Sequence, residues 1–156
     1  MKIEISPIER GNKALELFQN GYNCAQAVAT SFSDLLEMED TDVARLVSGF
    51  GGGFGRMREV CGAVSGGVFV LNALFGNYDA LDNDSKANHY SLIQELLKAF
   101  EAECGSYICR DLLNLENKTD SPTPELRTEK YYKKRPCGEL CKISAQITAA
   151  LINEKL

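Results

Sequence analysis

The segment REVCGAVSGGVFVLNALF, from about Arg58 to Phe75, constrains this chain most. It is apolar nearly all round, and a stretch with no polar face to offer water has to lie inside the molecule, so it predicts a central buried helix. The β-branched run Val68-Phe69-Val70 leaves a strand as the alternative. Helix is preferred because the stretch exceeds strand length and no partner strand with turn chemistry is visible elsewhere. Small residues at Gly62, Ala63, Ser65, Gly66 and Gly67 would let neighbouring backbones approach closely.

Helical spacing recurs on both sides of this segment. Ile8, Leu15, Leu17 and Phe18 mark a first helix that stops at Asn20-Gly21. A second starts near Asn23 and runs through Ala27, Val28, Phe32, Leu35 and Leu36. A third, capped at Thr41-Asp42, carries Val43, Leu46 and Val47. Then comes GFGGGFG, Gly49 to Gly55, where five glycines in seven residues predict a loop. Beyond the central helix, Asp82, Asn83 or Asp84 caps a helix bearing Tyr90, Ile93, Leu96, Leu97 and Phe100, which breaks at Cys104-Gly105. A short helix runs from about Cys109 through Leu112 and Leu113, and the last follows Pro136 through Leu140, Ile143, Ile147, Ala150 and Leu151. ENKTDSPTPE, with Pro122 and Pro124, reads as a surface loop. The expectation is an all-α chain, one domain over residues 1–156, with about six or seven helices around the central one.

At 156 residues and 44% apolar content the chain can fill a core without staples. With 17 Lys plus Arg against 22 Asp plus Glu, a net charge of −5 argues against nucleic acid, whose binding needs cations facing phosphates. The basic stretch Lys130 to Arg135, with Tyr131 and Tyr132, reads as a solvated face of a linker or helix end. MKIEISPIER reaches charged residues too soon for a secretory signal, and nowhere do about 18 apolar residues run together. A cytoplasmic chain with no membrane partner is expected, its six cysteines kept as thiols.

Four of those cysteines, Cys24, Cys61, Cys109 and Cys137, fall at or near the first turn of a predicted helix. First-turn N–H groups are unpaired and carry the positive end of the helix dipole, so a sulfur there is expected to have a lowered pKa. Arg56 and Arg58 near Cys61, and Arg110 beside Cys109, would push the same way if turned inward. A free cysteine is also a common apolar filler, which suits Cys24 taken alone, but six together weigh against that account. Cys137 and Cys141 are four apart, which puts both sulfurs on one helix face, as a two-ligand clamp needs. Cys104 and Cys109 are spaced more loosely. No CxxC occurs, which disfavours a thioredoxin-like site, ordinary zinc knuckles and c-type haem attachment.

Other chemistries find less support. The single histidine, His89, has no motif partner and is expected in a surface or capping role. No GxSxG nucleophile turn is present. GFGGGFG lacks the GK[ST] ending of a phosphate loop, so its expected role is to let the backbone pass close to the Cys61 region. Gly51, Gly52 and Gly53, with Gly62 beside Cys61, are the candidate backbone contacts to cluster sulfides or a small anion.

Taken together, GYNCAQAV around Cys24, FGGGFGRMREVCGAVSGG around Cys61, ICRDLL around Cys109 and the final CGELCKISAQITAALI resemble the C_GCAxxG_C_C family. That family is called redox-active on the strength of its cysteine pattern and is similar to a domain of split-Soret cytochromes. The resemblance runs from about Gly21 to the last helix. It implies an all-α protein whose four cysteines, here Cys24, Cys61, Cys109 and Cys137, gather into one redox or metal site, commonly taken as an iron-sulfur cluster. Cys104 stands where relatives more often have an apolar residue. Cys141 looks like an addition, and is the alternative to Cys137 as fourth site residue. Haem does not carry over, since no CxxCH occurs.

Three readings follow. In the first, the four cysteines ligate an iron-sulfur cluster, [2Fe-2S] being preferred, for one-electron transfer with an unidentified redox partner protein. In the second, no metal binds, and the same cysteines work as a thiol-disulfide oxidoreductase or redox sensor with Cys104 or Cys141 as resolving thiol. In the third, four sulfurs hold a structural zinc ion in a helical interaction module. A homodimer through a helix face is the commonest assembly for such a chain.

Overall fold

A computed structural model describes residues 4–116 and 119–156. The ends of two expectations, the reading of MKIEISPIER and the loop ENKTDSPTPE, fall on residues 1–3 and 117–118, outside the described residues. The chain is all-α. Its elements are α1 (Pro7–Gln19), α2 (Cys24–Thr30), α3 (Ser33–Leu36), α4 (Asp40–Leu46), a 3-10 turn (Ser48–Phe50), α5 (Gly51–Phe54), α6 (Gly62–Phe75), α7 (Asn83–Cys104), α8 (Cys109–Leu112), α9 (Glu129–Lys134) and α10 (Cys137–Lys155). That is ten helical segments among the described residues rather than six or seven, because α3, α5 and α9 were not expected as separate pieces.

The second predicted helix breaks after Thr30, and local hydroxyls explain why. Thr30 Oγ1 donates to the Gln26 carbonyl at 2.6 Å, Ser31 Oγ to Val28 at 2.6 Å and Ser33 Oγ to Thr30 at 2.9 Å. Side chains that bond back to the preceding turn compete with helix propagation. Thr41 and Asp42 lie inside the first turn of α4, which has no side-chain cap, while Asp40 and Asp42 place negative charge where the helix dipole favours it. The basic stretch is itself a helix, α9, whose N-cap Thr128 accepts from Tyr131 N.

The central helix is shorter than expected. It begins at Gly62, not Arg58, because Arg58 is left-handed, with φ at 61°, and the residues after it pair antiparallel with residues 107–109. Val60 bridges Ile108, Cys61 N donates to Tyr107 O at 2.9 Å, and Cys109 N donates to Glu59 O at 2.6 Å. From Gly62 onward α6 packs against α2, α7 and α10, with Val64, Val70 and Leu71 wholly buried. The small residues permit this. A Cβ on Gly66 would lie 2.6 Å from Ala25 O on α2, and one on Gly67 would lie 2.6 Å from Thr148 Oγ1 on α10. Close approach of α2 and α10 to α6 leaves the N-termini of these three helices at one end of the core.

His89 departs from its expected surface role. It is buried on α7, with Nε2 2.7 Å from Asn72 Oδ1 on α6. Among the described residues no helix is long and apolar enough to cross a membrane.

Candidate functional site

Each of the four motif cysteines is placed by a different local device. Asn23 caps α2 through a reciprocal pair: its side chain accepts from Gln26 N at 2.9 Å while Gln26 Oε1 accepts from Asn23 N at 3.1 Å. Cys24 is thereby the first residue of α2. Cys61 is the N-cap residue of α6, and Cys109 is the first residue of α8. The antiparallel pairing of 59–61 with 107–109 draws these two together although 48 residues separate them in the sequence. Cys137 opens α10 directly after Pro136.

All four line one cavity of about 330 Å³. All six cysteines of the chain are free thiols. Cys141, one turn after Cys137, is fully buried; its thiol lies 3.7 Å from the Cys24 carbonyl, and it does not line the cavity. Cys104, at the end of α7, is not a lining residue either.

The glycine run is not the plain loop expected. From Gly52 through Arg56 every φ is positive, and Gly55 N donates back to Gly51 O at 2.9 Å, so the chain makes a left-handed turn. L-residues disfavour that hand by about 1–2 kcal/mol each, and glycine does not. The run brings backbone close to the Cys61 region, as expected, where a Cβ on Gly62 would lie 2.9 Å from Phe50 O, and it also packs against Cys109. A Cβ on Gly53 would lie 2.8 Å from both Cys109 Cβ and Glu59 N. Gly51, Gly52 and Gly62 line the cavity, whereas Gly53 does not. A Cβ on Gly62 would meet Cys24 Sγ at 2.8 Å.

Arg56 and Arg58 were expected near Cys61, but the rest of the charged wall, Arg127, Arg135 and Glu125, was missed by sequence reading. Arg56, Arg58, Arg127 and Arg135 line the cavity with Glu125. Arg58 is the one arginine of the three expected near cysteines that turns fully inward: it donates to Cys109 Sγ at 3.6 Å and to Asp120 at 2.9 Å. Arg56 bonds Ser121 O at 2.7 Å, and Arg110 faces Glu59 at 3.4 Å. Arg135 is buried and paired with Glu125. Arg127 sits over the Phe18 ring at 4.1 Å and donates to Phe18 O and Tyr22 O. Among the described residues, the four guanidiniums around the cavity face two carboxylates, Glu125 and Asp120. No motif announced this wall, since Arg127 and Arg135 reach the site from a segment that reads as loop and solvated helix.

The expected lowering of the thiol pKa values at helix N-termini is overturned for three of the four. Burial pushes the Cys61 thiol well above its ordinary value, and the neighbouring Cys24 and Cys109 add to this. Burial raises Cys109 too, although Arg58 works against it. Cys137 is pushed up to about 12 by burial, then by Cys24 and Cys109. Loss of hydration outweighs the favourable helix ends. Tyr131, beside Cys137, is likewise raised to about 12, mainly by burial. Among the described residues no three His, Cys, Asp or Glu side chains close on a single point as ligands of one ion would.

A family model described as "Putative redox-active protein (C_GCAxxG_C_C)" matches residues 22–151. No curated protein and no solved structure matches the chain.

Proposed function

This chain belongs to the C_GCAxxG_C_C redox-active family, and from that premise we propose that Cys24, Cys61, Cys109 and Cys137 hold an iron-sulfur cluster, [2Fe-2S] being preferred, for electron transfer with a partner protein. The observation that carries this reading is the convergence of four sulfurs, remote in sequence, on one cavity lined by four arginines. Four thiolates around a cluster carry net negative charge, which the arginines and the N-terminal helix ends stabilise.

Four thiolates suit a tetrahedral zinc ion as well as an iron-sulfur cluster, and metal analysis separates the two. Because the chain belongs to a redox-active family, the cluster is preferred here. When bound, such a group supplies one-electron transfer. The chain's own contributions are distinct from that chemistry. Arg58 donates to Cys109 Sγ and so favours its deprotonated form. Gly51, Gly52 and Gly62 keep side-chain bulk out of the cavity, and Phe18, Leu140 and Tyr131 contribute apolar surface to its lining.

Protein purified without oxygen is expected to be brown and to contain iron and acid-labile sulfide, with Cys61→Ser bleaching it. Colourless, iron-free protein after anaerobic reconstitution would overturn the proposal.

A further inference from the structure

One wall of the cavity is unlike the others. Pro122, Pro124, Glu125 and Arg127 come from residues 119–128, a strap without regular structure in which no residue is buried; Leu126 is 84% exposed. The opposite walls are the ends of packed helices. The strap is instead tied down by arginines. Asp120 is held by Arg58 at 2.9 Å, Ser121 O by Arg56 at 2.7 Å and Glu125 by Arg135, while Arg127 reaches across to Phe18 O at 2.7 Å and Tyr22 O at 2.9 Å. Partly exposed ion pairs contribute little stability, and segments without buried apolar contacts open at lower free energy than the core.

We infer that the 119–128 strap is the gate of the cysteine cavity, latched by Asp120–Arg58 and Glu125–Arg135. Opening it exposes the cavity thiols while α2, α6 and α10 stay folded. Arg58 joins the two functions, since one guanidinium bonds both the latch carboxylate and the Cys109 sulfur. This deepens the proposed function by assigning how that site is reached, and it concerns the cavity whatever occupies it.

The test is cysteine-by-cysteine alkylation of the reduced, metal-free full chain with iodoacetamide, read by mass spectrometry. In the wild-type chain, labelling of Cys24 and Cys137 should be nearly independent of urea below the unfolding transition, because only the strap moves; Cys141, in the core, should label only with global unfolding. In Asp120→Asn/Glu125→Gln, Cys24 and Cys137 should label about tenfold faster or more, with Cys104 changed less than twofold. Unchanged cavity labelling in a folded double variant overturns the gate. Should the variant fail to fold, steep urea dependence of Cys24 and Cys137 labelling in the wild-type chain, parallel to that of Cys141, overturns it equally. Either result stands apart from the cluster proposal, which is decided by iron and sulfide content.

Discussion

Arg58 Nη1 lies 3.6 Å from Cys109 Sγ, across 51 residues of chain, and the same guanidinium donates through Nε to Asp120 at 2.9 Å. Arg58 is 5% exposed and holds φ at 61°, a backbone conformation that its side chain disfavours. A planar fork can serve a sulfur and a carboxylate at once, and a lysine ammonium on a flexible stem cannot do so in the same place. Arg58→Lys is therefore expected to lower the unfolding free energy by about 1–2 kcal/mol, discounted for the partly exposed carboxylate. Urea denaturation checks this, and an unchanged midpoint would show that the bridge carries no weight.

The glycines make a sharper comparison within one motif. Gly53→Ala puts a methyl against Cys109 Cβ and the Glu59 backbone at a φ of +70°, so a loss of about 2 kcal/mol or more is expected. Gly49, four residues earlier, has open space around it, and Gly49→Ala should stay within about 0.5 kcal/mol of wild type. Equal effects of the two substitutions in thermal or urea melts would contradict the left-handed turn.

Burial of the thiols predicts sluggish alkylation of the metal-free chain. With Cys61 and Cys109 raised and Cys137 near 12, these three should react with iodoacetamide more slowly than free cysteine near neutral pH. Their rates should still be climbing at pH about 10, where free cysteine has levelled off. A plateau at neutral pH for any of them would mean that helix ends and Arg58 overcome desolvation after all.

His89 gives a pH dependence away from the cavity. Burial, with Lys155 nearby, lowers its pKa below the ordinary 6.5, so the unfolded chain takes up the proton first. The stability that depends on neutral His89 is complete above about pH 6.5 and declines as pH falls toward the folded value. His89→Gln should flatten the change in urea midpoint between about pH 7 and pH 5.5. A variant that keeps the wild-type slope would assign the dependence to other groups.

Much of the fold was legible because it is local. The Asn20-Gly21 stop, the Asp82 cap that accepts from Ser85 N, and the Cys104-Gly105 break all depend on residues a few positions apart. Errors occurred where two local tendencies competed. Apolar spacing carried the second helix through Phe32, while Thr30, Ser31 and Ser33 hydroxyls ended it. Helical character was extended back to Arg58, where a left-handed backbone and the pairing of the residues after it with 107–109 prevail.

Cysteine positions at helix starts were readable for the same reason, and four motifs in order named the residues that line the cavity. Their protonation was not readable. The helix-end effect is local and was anticipated, whereas desolvation depends on every element packed around the sulfur and proved larger. The arginine wall belongs to the same class. Arg127 and Arg135 carry no motif; Arg127 comes to the cavity by the path of the strap over Phe18, and Arg135 by turning inward at the end of α9, two residues before Cys137. Periodicity, caps and glycine act within a turn or two of chain, so most of the helices, and the sulfurs that begin them, could be read residue by residue. That these sulfurs share one positively charged cavity could not, because burial and charge there are sums over segments as far apart as Phe18 and Arg135.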